Sequence, residues 1–238
     1  MSKLIRQCGS TILAFVGATL LAASATAAPI ELVKNGGFET GNLTNWNRND
    51  TSNLRCASGG TNWNVSTSGA ATNCVNAANP SGSTYAAYAM NDGPTNTAYK
   101  LFQDLVIPLG TFSGAFSFSL SSINTSDASR TLAVRFLSTS GVALNTIYSA
   151  STSSNNAAWT TISRDVSTFL KNHNGQTLRL EFANTINTGW TGGAGIGIDN
   201  VSLKVNVNAV PEPASMALLG LGAMGLVASR RKRTAQRV

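Results

Sequence analysis

The strongest constraint on how this chain folds is a two-residue period that recurs through its middle. In Ala115-Phe116-Ser117-Phe118-Ser119-Leu120, Phe116, Phe118 and Leu120 fall on one face and serines on the other. Arg130 to Ser138 repeats the pattern, with Leu132, Val134 and Phe136 opposite Arg135. Gln176 to Asn184 repeats it again, with Leu178, Leu180 and Phe182 opposite Arg179 and Glu181. Successive side chains on a strand point to opposite faces, so these segments are strands with one face in a core. Lys100 to Pro108 and Val142 to Tyr148 read as strands of less regular pattern, and no internal window sustains a helical period. Strands with one apolar face need a second layer to cover them. The predicted fold class is all-β, an antiparallel β-sandwich of two packed sheets.

The last strand carries an irregularity. Ile196 and Ile198 share one parity, whereas Val201, Leu203 and Val205 share the other. The inward register therefore slips between Asp199 and Asn200, which predicts a β-bulge there. Glycines at 192, 193, 195 and 197 permit close backbone approach just before it. The stretch 49–83 shows little alternation and many Asn, Ser, Thr and Gly, so it reads as a long decorated loop with room for one hairpin.

The two ends differ from the body. Lys3 and Arg6 precede an apolar stretch from Ile12 to Ala23 and then Ala25-Thr26-Ala27, the order of a secretory signal peptide cleaved after Ala27. At the other end stand Pro211-Glu212-Pro213, an apolar run over 214–229, and the basic cluster Arg230-Arg231-Lys232-Arg233. A 16-residue helix is about 24 Å long against a hydrocarbon core of about 30 Å, a short span aided by snorkelling basic side chains. The predicted organisation is a signal peptide over 1–27, a sandwich body over 28–209 and a tail over 210–238.

That tail, in the order of its three parts, resembles the PEP-CTERM sorting signal of Gram-negative bacteria. The resemblance implies an exosortase-type membrane enzyme as partner, transient anchoring in the inner membrane, and delivery to the cell surface or extracellular matrix. The basic cluster stays on the cytoplasmic side, which places the body outside.

The net charge of +7 belongs to the ends: between Pro29 and Val210 stand 10 Lys or Arg and 9 Asp or Glu. A nearly neutral body carries no electrostatic footprint for nucleic acid. Cys8 leaves with the signal peptide, while Cys56 and Cys74 remain in an oxidising compartment. A disulfide between them is the expectation, worth about 3 kcal/mol on the chain-entropy argument. His173 is the only histidine and no G-x-S-x-G elbow occurs, so the expectation is a non-enzymatic protein. Trp63 and Trp190 are the candidate ligand-binding aromatics, with Tyr85 and Tyr88 as further candidates that cannot both serve from one strand face. Trp46 reads as core.

Asn35-Gly36-Gly37-Phe38-Glu39, the segments Arg164-Asp165-Val166-Ser167 and 175–182, and Ile196-Gly197-Ile198-Asp199-Asn200-Val201-Ser202-Leu203 together resemble the opening, late and closing strands of galactose-binding-like jelly-roll modules. The resemblance implies a jelly-roll body and a structural Ca2+ held by Glu39 and Asp199; the second acid common after the Asp is Asn200 here. It also implies binding of carbohydrate or exopolysaccharide. The alternatives are a purely structural matrix component and a glycan-active enzyme.

Overall fold

The computed structural model describes residues 28–49, 60–67, 78–91, 93–124, 129–152, 156–189, 191 and 194–208. The signal peptide, Cys56, Cys74, Trp190 and the whole tail, with its apolar run and basic cluster, lie outside the described residues.

Two antiparallel sheets face one another, as the alternation requires. The first contains β3 (Gly60–Ser66), β4 (Ala86–Asn91), β11 (Ala194–Val207), β6 (Thr111–Asn124) and β9 (Asn156–Asp165) in that order, and the short β1 (Ile30–Glu31) adds to β11. The second runs β2 (Asn47–Arg48), β5 (Ala98–Val106), β10 (Thr177–Ile186), β7 (Arg130–Ser138), β8 (Ala143–Ser151). The apolar parity read from sequence is the buried one: Leu132, Val134, Phe136, Leu178, Leu180, Phe182, Phe116 and Phe118 all lie in the core. Phe182 is its hub, with ring centroids 5.3 Å from Phe118, 6.1 Å from Trp46 and 6.4 Å from Phe116. Each such aromatic ring, once buried, contributes on the order of 2 kcal/mol of apolar transfer energy.

The register of β11 against β6 shifts between Asp199 and Ser202, where the apolar parity changes. Asn200 takes the extra residue of this bulge in the left-handed conformation, at φ 50°; asparagine tolerates that region better than most residues.

The stretch 49–83 contains β3, an edge strand paired antiparallel with β4, so the loop has room for a strand as its sequence allowed. One expectation is corrected. Trp63 on β3 is not an exposed platform: it is 0% exposed, and its Nε1 donates to Tyr99 O at 3.2 Å. An indole with its one donor satisfied inside a sandwich is core material. A single helical turn, α1 (Ser167–Lys171), also interrupts the all-strand pattern. Asp165 Oδ1 accepts from Ser167 N at 2.9 Å at its start, and Leu170 packs where Gly114 leaves room.

Candidate functional site

The opening motif packs directly on the bulge of the closing strand. Gly36 O accepts from Val201 N at 2.9 Å, and a Cβ on Gly36 would stand 1.9 Å from Val201 O, so only glycine fits. Gly37 lies between the two carboxylates in question: a Cβ there would be 3.8 Å from both Asp199 Oδ1 and Glu39 Cγ. The structure thus brings Glu39 and Asp199 to one locus.

Their environments differ. Glu39 Oε1 accepts from the backbone N–H groups of Thr84 (3.0 Å) and Tyr85 (3.3 Å). Asp199 is fully buried; Oδ1 accepts from Asn200 N at 2.7 Å, while Oδ2 has no hydrogen-bond partner. Burial pushes the Asp199 carboxyl above the usual range; hydrogen bonds from Ser83 and Asn200 oppose the shift, and the Glu39 charge adds to it. The same Asp199 charge, after burial, raises the Tyr88 phenol. An orphaned carboxylate oxygen beside a second carboxylate and a glycine backbone fits a hard cation. Among the described residues no three His, Cys, Asp or Glu side chains gather, so an ion here would draw most of its oxygens from backbone carbonyls.

A second locus lies on the outer face of the five-stranded sheet, where register aligns three rows across β5, β10 and β7. Lys100, Ala183 and Ala133 form one row; Phe102, Glu181 and Arg135 the next; Asp104, Arg179 and Leu137 the third. Arg179 holds Asp104 through two hydrogen bonds, Nε–Oδ1 at 2.7 Å and Nη2–Oδ2 at 3.1 Å, and its guanidinium lies 4.0 Å from the Phe102 ring centroid. The hydrogen bond to Asp104 is the main cause of the raised Arg179 pKa. Glu181 accepts from Arg135 and has Lys100 Nζ at 3.8 Å. The face therefore presents a fixed planar cation stacked on an aromatic ring and paired with the Asp104 carboxylate, while Glu181 is buried.

Among the described residues, Tyr88, Tyr85 and Trp46 do not form platforms. Tyr88 is buried, donates to Asn79 Oδ1 at 2.6 Å and packs edge-on against Trp159. Tyr85 is half-buried over Gly41. Trp46 is core, with Nε1 donating to Asn35 O at 3.1 Å. His173 Nδ1 lies 2.7 Å from Phe169 O in the turn after α1. Sequence reasoning missed Phe102; its signal was parity, since in Lys100-Leu101-Phe102-Gln103-Asp104 it falls with the charged residues.

Comparison with solved structures returns neighbours of low identity. TmCBM61 in complex with β-1,4-galactotriose is 16% identical over 73% of this chain and 97% of that one, with a TM-score of 0.45. A cyclase from Fischerella sp. TAU is 17% identical over 77% of this chain and 100% of that one, at 0.49. The tandem CBM22-1–CBM22-2 domain of Paenibacillus barcinonensis Xyn10C is 14% identical over 80% of this chain and 49% of that one, at 0.47. No curated protein matches the sequence. Residues 209–232 match the family model of the PEP-CTERM protein-sorting motif, so the C-terminal segment is a PEP-CTERM sorting signal.

Proposed function

We propose that this chain is an exported, non-enzymatic surface protein whose sandwich, a jelly-roll module, binds extracellular polysaccharide on the outer face of the five-stranded sheet. The sorting motif supports export and handling by an exosortase-type membrane enzyme. The observation that carries the binding reading is the Arg179–Phe102 stack clamped by Asp104 and flanked by Glu181 and Arg135. Sugar rings offer an apolar face and a fringe of hydroxyls; a stacked planar guanidinium with the fixed Asp104 carboxylate beside it matches both.

Glycan-array binding followed by titration of the best hit tests it. Phe102→Ala and Arg179→Ala should each weaken binding at least about tenfold, near 1.4 kcal/mol, with the fold intact by circular dichroism. A flat array, or binding indifferent to both substitutions, would leave the sandwich as a structural matrix component.

The reading includes a structural calcium held by Glu39 and Asp199. The ion would neutralise the buried Asp199 carboxylate and tie the opening motif to the closing strand. Its chemistry is structural: it joins two chain segments far apart in sequence and takes part in no reaction.

A further inference from the structure

Large apolar side chains exposed among the described residues are Ile30, Val106, Leu109, Phe112, Val142 and Leu144. They are scattered in sequence but not in space. Val106 pairs with Thr177 at the start of β10, and Ser138, which leads into the turn holding Val142, pairs with Leu178. Leu144 follows Ala143, which pairs with Leu137 near the end of β7. Leu109 lies in the link from β5 to β6, and Phe112 lies in the irregularity where Val207 pairs with Thr111. Ile30 pairs with Val205. All six therefore lie at one pole of the sandwich. Leu109 is 80% exposed and Val106 66%, well beyond ordinary partial burial. Among the described residues the exposed ones in the loops at the opposite pole include Pro94, Thr95, Asn96, Asn187, Thr188 and Thr191.

The apolar pole is also the one from which the chain leaves. Asn208 N donates to Gly110 O at 2.9 Å, beside Leu109, and the apolar run begins at Ala214. Six residue steps span at most about 20 Å, whereas the 14-residue β11 is itself about 45 Å long. A tail inserted in a bilayer thus holds this pole near the membrane and keeps the polar pole far from it. The charges there nearly balance, with Lys171, Lys204 and Arg164 exposed alongside Glu31 and Asp165. Apolar contact, not attraction to anionic lipid, is what such a surface offers.

We infer that, while the tail is anchored, the body docks on the bilayer through this pole, with Leu109 and Val142 entering the headgroup–acyl boundary. The inference rests on the sorting-tail reading. Docking would hold Pro211-Glu212-Pro213 at the membrane surface, within reach of a membrane-embedded processing enzyme.

The test uses the full chain reconstituted into phosphatidylcholine vesicles with brominated acyl chains, which quench nearby tryptophan. Leu109→Trp and Val142→Trp should each add emission quenched at least twofold more than that added by Thr188→Trp at the opposite pole. Equal quenching at the two poles, in chain that resists alkaline carbonate extraction, overturns docking and leaves the tail reading standing. Release of the chain by carbonate overturns both. Cross-linked dimers joined through this pole, with Leu109→Trp quenched no more than Thr188→Trp, overturn the membrane as occupant in favour of a second copy.

Discussion

The indole of Trp159 rests on Gly197: a Cβ at Gly197 would stand 2.7 Å from Trp159 Cη2 and 2.8 Å from Tyr88 Cε1. Trp159 Nε1 also donates to Ala78 O at 2.8 Å, which ties the connection before β4 onto the outer face of the sheet. Glycine in the middle of β11 costs strand propensity, and here that cost is offset by a flat seat for two aromatic rings.

Gly197→Ala should therefore lower stability by about 1–3 kcal/mol through overpacking. Urea denaturation of the exported protein reads this directly. A midpoint within error of wild type would show that the rings move aside freely.

Trp63 gives a contrasting prediction. Trp63→Ala should cost about 3–5 kcal/mol, because it empties a fully buried site. Any loss of glycan binding should then track loss of fold. A stable Trp63→Ala protein with selectively lost binding would restore Trp63 as a ligand contact.

Calcium and pH act on the same group. The folded-state pKa of Asp199 is raised, chiefly by burial, so the folded protein holds that proton more tightly than the unfolded chain. Its contribution is fully present below the ordinary carboxylate value of about 3.9 and is lost as pH rises through the raised value. Asp165 works the other way: hydrogen bonds from Ser167 lower its pKa, so its contribution is lost as pH falls through that lowered value. In chelator, the part of the thermal midpoint's pH dependence that Asp199→Asn removes should favour the acid side. Saturating calcium at 100 times the dissociation constant should add about 2.7 kcal/mol, a rise of about 5–10 °C. A midpoint indifferent to calcium, or a calcium response surviving Asp199→Ala, rules the ion out.

Processing is the remaining prediction. Glu212→Ala with Pro213→Ala should abolish surface delivery and change the mature mass read by intact-protein mass spectrometry. Unaltered delivery and mass would mean that the motif is not what the sorting machinery reads.

Those strands were legible whose apolar residues are large and strictly alternate. β7 spans Arg130–Ser138, the same bounds that alternation implied, and the bulge at Asp199 was visible as a change of parity. β4 was not, because its inward residues are Ala87 and Ala89, which carry little hydrophobic signal and low strand propensity. β3 hid for a related reason: as an edge strand in an Asn- and Ser-rich stretch, its described core-side residues are Trp63 and Val65. The meeting of Glu39 with Asp199 was anticipated from family resemblance, not from spacing. The Phe102–Arg179–Arg135 face was not anticipated as a site, because its residues lie on β5, β10 and β7 and only sheet register brings them together.

The place of β11 in its sheet has a mechanical consequence. It lies between β6 on one side and β4 and β1 on the other, and the tail continues from its end. Tension along the tail, as when a bound polymer drags on an anchored body, therefore loads a central strand lengthwise. The rungs to its neighbours must fail together in shear and cannot unzip singly from an edge. The chain thus emerges from the part of the sandwich best suited to carry load.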